Sequence, residues 1–547
     1  MKIAIASSGL GHVARGIETW ALDTAVAVSD YSLQTTDDRP TQESAVCGLR
    51  SVVSPSLSVT LFSGAPLAAC PFPPAVTIPC WKRSGKLAQT LARFSPPFLW
   101  RWGLKNPYGW EQFSFWLRLW PKLRRGKFDI LHVQDPMVAD WCRLFRKWGL
   151  VWTKEILAHG TEEPVEFLAK FEHVQHLAPW HLEKTAGRKP ETGNRKPESE
   201  EERSEANGKR KVNAGWAPTD ECGWTRTRPY WVAIPNFVDC EVFTPGSGKR
   251  EELRKRLGIP ENAFVVGCVA AVKKDHKRID YLIREIAQST VNSQQSTVNS
   301  QQSTVSSEQL TVNSEQRTEK GWASPAEPLS SSSSELFTVH RSPFTSFLII
   351  AGAKTGESEE LMELAESLLP GRYKILLDCA RDQMPDLYRA MDVFVLPSLF
   401  EMMPIAVLEA MASGLPCVVN RHPVLEWMVG AEEITDCRQQ TADQERREEN
   451  TPHPNPLPQG AREQRNQELA PLPPLPSGER AGVRVSSPAA GIAIEMSREG
   501  ALAQAFAEMT PDWIELRSRQ ARERAECLFS KETVISQYVK YYREVMG

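Results

Sequence analysis

The stretch LPSLFEMMPIAVLEAMASGLPCVVN, Leu396 to Asn420, sets two carboxylates around a helix start. Val393 to Leu396 is an apolar run of strand type, Pro397 and Ser398 interrupt it, and Pro404 is expected at the first position of a helix that ends at Gly414. Glu401 falls in the loop before that helix and Glu409 inside it. The first amides of a helix lack partners within it and the positive end of its dipole faces the same way, so a diphosphate fits there. Carboxylates beside a phosphate would repel it unless they accept hydrogen bonds from sugar hydroxyls. The combination points to a ligand carrying both groups, a sugar nucleotide.

At these residues the chain resembles the retaining GT-B glycosyltransferases called glycosyltransferase family 4, or glycosyl transferases group 1, whose E-x7-E motif corresponds to Glu401 and Glu409. The resemblance implies that Glu401 and the loop after it, Met402, Met403, Pro404 and Ile405, meet the donor sugar and that Glu409 holds the ribose hydroxyls. The family pattern has Gly where this chain has Met402, which puts a side chain near the donor hexose. Further matches recur in order. Arg15-Gly16-Ile17-Glu18 resembles a glycine-rich turn after the first strand, with Gly16 letting backbone approach the ligand and Arg15 replacing one glycine. FDILHVQD, Phe128 to Asp135, resembles a strand ending in histidines, with Gln134 in the second place. ILAHGTEE, Ile156 to Glu163, resembles the strand that ends in the active-site histidine, here His159. AIPNFVDCEVFTP, Ala233 to Pro245, resembles the start of the second domain, with Phe237 in place of Gly.

A departing diphosphate needs cationic help, and VAAVKKDHKRIDYLI, Val269 to Ile283, is the candidate loop. By the resemblance Lys277 aligns with the diphosphate lysine, and its partner arginine falls at Ala271, a loss that Lys273, Lys274 or Arg278 is expected to offset. His159 follows an apolar run and precedes Gly160, a strand-end position from which it would hydrogen-bond the donor sugar or stabilise charge in the transition state. His132, within a strand, reads as structural, and His12, in a loop, as a candidate acceptor contact. The resemblance implies hexosyl transfer from a nucleoside-diphosphate sugar to a hydroxyl of a glycan or lipid-linked acceptor, with retention, without metal or other cofactor. Two alternatives stay open: a degenerate, non-catalytic sugar-nucleotide-binding protein, and a synthase or phosphorylase on the same fold.

The composition fits this class. At 547 residues the chain exceeds what one core usually supports, and 41% hydrophobic with 24% charged residues is globular. A net charge of -3 without a basic stripe argues against nucleic acid. Eleven cysteines without a C-x-x-C pair indicate neither a disulfide framework nor a zinc site, which fits a reducing cytoplasm. No run of eighteen apolar residues appears. Trp100 to Arg125 carries five tryptophans and ends in PKLRRG, so the helix within it could either lie on the inner face of a membrane or be buried in the first domain.

Strands read at Ile3 to Ala6, Asp129 to Val133, Phe264 to Ala270, Phe347 to Ala351, Ile375 to Leu377, Val393 to Leu396 and Pro416 to Asn420 alternate with helical stretches such as Gly16 to Val28, Ile279 to Ala287 and Ser358 to Leu369. This is the α/β pattern of two doubly wound parallel sheets facing a cleft, the GT-B architecture. The expected division is 1–235 as an acceptor-side domain, 236–530 as the nucleotide-sugar domain, and 531–547 as a helix crossing back. Three segments read as insertions, 185–228, 289–340 with its fourfold heptad (STVNSQQ and variants), and the proline-rich 440–488. They carry too little apolar surface to pack. Deleting Ser289 to Ser334 or, separately, Gln440 to Pro488 is expected to move the melting temperature by no more than a few degrees, and calorimetry showing a larger drop would mean that the segment packs.

Overall fold

The structure, a computed structural model, describes residues 1–13, 16–37, 57–67, 75–100, 102–161, 163–186, 230–246, 250–289, 346–431 and 489–547. The insertions read at 185–228, 289–340 and 440–488 lie outside the described residues, apart from Thr185 and Ala186, which end the helix Pro179–Ala186, and from Ser289. Arg15 also lies outside them.

Apolar runs too short for helices and flanked by Gly, Pro or polar turns become buried strands. The first sheet holds β1 (Lys2–Ser7), β2 (Ser58–Ser63), β3 (Ala75–Thr77), β4 (Ile130–Val133), β5 (Lys154–His159), β6 (Val174–His176) and β7 (Trp231–Ala233). The second holds β8 (Phe264–Val269), β9 (Ser346–Gly352), β10 (Tyr373–Leu377), β11 (Val393–Leu396), β12 (Cys417–Asn420) and β13 (Gly491–Ile494). Every pairing is parallel, in the orders β3-β2-β1-β4-β5-β6-β7 and β10-β9-β8-β11-β12-β13. Each order reverses beside its first strand, between β1 and β4 and between β8 and β11. Ligands of such sheets bind where the chain leaves those strands in opposite directions.

The helices differ in extent from the sequence reading. The first runs Gly16–Asp37, nine residues past Val28. The tryptophan-rich helix is Pro107–Gly126, started by Asn106, whose side chain accepts from the Gly109 amide. Its Trp116 and Phe115 are buried and Trp110 and Trp120 pack against the same core. Helix Pro107–Gly126 is therefore a core element, and the membrane-surface reading does not apply to it.

The C-terminal helix, Lys531–Met546, leaves the second sheet and closes the first. Ser530 caps it, and its buried face places Val534, Ile535, Tyr538, Val539, Tyr542 and Val545 against Ile3, Ile5, Trp20 and Ile130. Two tyrosines enter a buried polar network. The His132 Nε2 donates to Gln175 Oε1 at 3.0 Å, which leaves its Nδ1 to accept from the Tyr542 hydroxyl at 2.7 Å. Gln175 Nε2 donates to Ile234 O and to Tyr538 Oη, and Trp20 Nε1 donates to the same oxygen. Burial pushes the His132 imidazole down to about 3, so it is neutral and purely structural. Tyr542→Phe would leave the His132 Nδ1 buried without its donor, and a loss of about 1–3 kcal/mol is expected. Urea unfolding reads this, and a change below about 0.5 kcal/mol would show that the network does not hold the helix.

Candidate functional site

Both switch points open onto one cleft of about 420 Å³. Gln134, just beyond β4, Gly160, just beyond β5, Leu177 and Asn236 line one side. His276 and the run Phe400, Glu401, Met402, Met403, Pro404 and Ile405 line the other. A Cβ at Gly160 would stand 3.0 Å from the end of the Gln134 side chain, a tight contact to which that side chain would have to yield.

The second side is built by two loops leaving adjacent strands. The loop after β8 carries Lys273 to Arg278 and the loop after β11 carries Ser398 to Pro404, and the Leu399 amide donates to His276 O at 2.8 Å to tie them together. Lys277 and Glu401, both largely buried, meet in an ion pair across these loops. The helix after the second loop is Ile405–Ala412. Pro404 is its N-cap rather than its first residue, with φ −73° and ψ 118°, because an extended ψ turns its carbonyl to accept from Val407 N. No side chain caps this end, so the helix's first amides remain available on the cleft side. Gly414, at φ +73°, ends the helix in the left-handed conformation.

The first domain fixes the loop's carbonyls. The His181 Nε2 donates to Met402 O at 3.2 Å, and Asn236 Nδ2 donates to Met403 O at 3.0 Å. In a trans peptide the following N–H points opposite to the carbonyl, so holding Met402 O on this side turns the Met403 amide the other way. Met403 is buried while Met402 packs partly against the core of the second sheet.

Glu409 lies on the same helix and accepts from the Tyr388 hydroxyl at 2.8 Å. Desolvation pushes its carboxyl up to about 7, against the opposing pull of that hydrogen bond and of nearby Arg381. Arg381 in turn makes a two-pronged ion pair with Asp23 of the first helix, its NH1 2.8 Å from Oδ1, joining the two domains beside Glu409.

The remaining predicted residues are placed differently. Lys274 is turned to Glu360, and its amide donates to Glu357 at 2.6 Å. Arg278 donates to Met496 O at 2.6 Å and lies over the Tyr281 ring, 4.4 Å from its centroid. Neither is paired with Lys277 or Glu401, because each is held by the element that follows or flanks the loop. Lys273 pairs with exposed Asp275 at 3.1 Å. Gly16 opens the first helix beyond β1, at the other switch point. His159 is buried behind Gly160, with its Nδ1 3.0 Å from the His176 Nδ1. Burial, reinforced by His181, lowers it to about 3. It is therefore a neutral imidazole.

His12 makes a 3.0 Å contact from Nε2 to Glu111 Oε2, part of a buried network at the end of the first sheet. Arg83 grips the same carboxylate through its amide, Nε and NH2 at 2.6, 3.0 and 2.6 Å. Burial would raise Glu111, but these hydrogen bonds outweigh it and leave the carboxyl below its ordinary value. Asp135 receives the Ser8 amide at 2.6 Å and the Tyr108 hydroxyl at 2.6 Å. Sequence reasoning missed Arg83, Glu111, His181, Asn236, His276 and Arg381. Asn236 and His276 stand inside motifs already singled out, whereas Arg83 and Glu111 carry no local signal.

Two parallel-sheet α/β domains whose switch points share a cleft define the GT-B fold. Residues 345–445 match the family model described as Glycosyl transferases group 1. The sequence is 53% identical over 192 residues, 34% of this chain and 35% of the other, to an Escherichia coli protein named UDP-Gal:alpha-D-GlcNAc-diphosphoundecaprenol alpha-1,3-galactosyltransferase. The chain spans about a third of the length of the curated relatives it matches. Among solved structures it is similar to sucrose-phosphate synthase from Thermosynechococcus elongatus, with TM-score 0.53 and 14% identity over 100% of this chain and 99% of that one. The Anabaena HepE protein in complex with UDP and glucose gives TM-score 0.52 and 14% identity over 99% of each. At such identity these likenesses show the fold.

Glu409 generates a prediction independent of any ligand. A carboxyl whose folded pKa is raised costs stability once pH passes its unfolded pKa, and the cost is complete above the folded value near 7. Glu409→Gln keeps an acceptor for Tyr388 and removes the charge. It is expected to equal the parent at pH 5 and to exceed it by roughly 1–3 kcal/mol at pH 8, after discount for partial exposure. Urea unfolding at both values checks this, and equal differences at the two pH values would refute the raised pKa.

Proposed function

We propose that the protein transfers a hexosyl group from a nucleoside-diphosphate sugar to an acceptor hydroxyl, with retention of configuration. The observation that carries this reading is the Lys277–Glu401 pair beside the uncapped start of helix Ile405–Ala412, in a cleft shared by two switch points. The group 1 match over 345–445 and the E. coli relative's name support it. That name also supports a UDP-hexose as donor and a polyprenyl-diphosphate-linked sugar as acceptor class. Among the described residues no helix is long and apolar enough to cross a membrane.

Without donor, the Lys277 ammonium and the Glu401 carboxylate neutralise each other. The donor offers each a better partner: its diphosphate competes for Lys277 and its sugar hydroxyls for Glu401. In the transfer the acceptor oxygen bonds to the anomeric carbon while the bond from that carbon to the β-phosphate oxygen breaks. The bonding pair stays on the diphosphate, which takes the acceptor's proton. Charge on the leaving oxygen is greatest as the bond breaks, so Lys277 and the helix amides stabilise the transition state more than bound donor. Glu409 would hold the ribose hydroxyls, and neutral His159 serves as a hydrogen-bonding group behind the sugar. The protein's own groups supply the charge balance, and no metal enters the proposed step.

Slow hydrolysis of UDP-galactose and UDP-glucose, followed by nucleotide release, tests the reading without knowledge of the acceptor. Lys277→Ala is expected to lower kcat on the order of 10²-fold with a smaller change in KM. Glu401→Gln should instead raise KM as well, since it meets ground-state hydroxyls. Binding of the donor without any turnover by the parent protein would favour the non-catalytic alternative. Unchanged kinetics in both variants would remove the pair from the site.

A further inference from the structure

Residues 82–100 and 102–105 carry exposed apolar and cationic side chains outside the cleft, while Leu99 and Leu104 of the same segment pack into the core. Between Cys80 and Glu111 the sequence has Lys or Arg at six positions and no Asp or Glu, although the whole chain carries -3. In helix Lys86–Arg93 only Ala88 is buried. Leu87 and Phe94 stand seven residues apart, hence on one face, and are 52% and 75% exposed. Lys86 and Arg93 form the row beside them, and the Arg93 guanidinium stacks on Phe94 at 6.0 Å. The chain continues through Phe98, 67% exposed, and Trp100 and Trp102, each 47% exposed, with the Lys105 ammonium 5.2 Å from the Trp100 ring centroid. Trp110, on the core helix, donates through Nε1 to Ser95 Oγ at 2.9 Å and fastens the segment to the body.

We propose that this surface docks on an anionic lipid membrane. Exposed Phe, Leu and Trp seat at the boundary of headgroups and acyl chains, and interleaved Lys and Arg neutralise lipid phosphates. A second copy is the poorer occupant, since the same face would bring the exposed Lys82, Lys86, Arg93 and Lys105 against their own copies. A protein interface would be depleted in Lys at its centre. The surface adjoins the carboxyl end of β1, because Arg83 at its base holds Glu111, which also binds His12. If the proposed function holds, an acceptor carried on a membrane lipid would enter on that side. The lipid contact itself does not rest on that reading.

The test is co-sedimentation of the full chain with vesicles of phosphatidylcholine alone or with about one third phosphatidylglycerol, at low and high salt. Binding is expected only to the anionic vesicles, weakened at high salt. Phe94→Glu with Phe98→Glu should abolish it, and Lys86→Glu with Arg93→Glu should weaken it at least tenfold, with circular dichroism and donor hydrolysis unchanged in both. No binding to either vesicle, or undiminished binding by the Phe94/Phe98 variant, overturns the proposal. A dimer of the parent protein that this variant converts to monomer would also overturn it, in favour of a second copy. Loss of donor hydrolysis in the parent with vesicle binding intact would sink the proposed function and leave this inference standing.

Discussion

The meeting of Lys277 with Glu401 across the loops that leave β8 and β11 is the interaction on which the site depends. Either charge alone, buried to this degree, would be costly, because nothing would offset its lost hydration. Paired, each offsets the other's desolvation until a ligand separates them. The topology enforces the meeting: β8 and β11 are hydrogen-bonded neighbours, and their exit loops diverge from one point. Any change that separated these strands' ends would unmake the charge pair before it touched the rest of the cleft.

The first domain takes part in shaping that loop as well as facing it. His181 and Asn236 fix the carbonyls of Met402 and Met403, and Asp23 reaches Arg381 beside Glu409. Opening the cleft would therefore cost hydrogen bonds to backbone carbonyls, and closing it restores the loop's peptide orientation. A neutral His181, held down to about 4 by burial, can keep that role over the ordinary pH range. The exposed Asp23–Arg381 pair adds little energy of its own but sets the register of the two domains near Glu409.

Much of this was legible from sequence, for physical reasons that differ by element. Short apolar runs such as Val393–Leu396 read as strands because both faces are covered, and Glu401, Pro404 and Gly414 mark a loop, a helix start and a helix end within one continuous stretch. His132 read as structural because it sits inside a strand. What did not read were contacts set by distance in space. Arg83 and Glu111 meet only because helix Pro107–Gly126 lies beside the loop after β3, and Arg278 read as a phosphate ligand because local charge does not reveal that Met496 would take its guanidinium. The tryptophan-rich stretch divided in two: its helix is core, and the aromatics preceding it are the exposed ones.

Helix Lys531–Met546 has a consequence for how this molecule is made. During synthesis β1 and β4 leave the ribosome long before Tyr538 and Tyr542 do, so Trp20, Ile130 and the His132–Gln175 pair await partners that emerge only after the second sheet. The first sheet can assemble early, with helix Gly16–Asp37 covering part of one face, but the rest of that face stays open until the second sheet has been translated. Completion of the first domain is thus coupled to synthesis of the second, and a nascent chain stalled between the two would expose apolar sheet surface for a chaperone to hold.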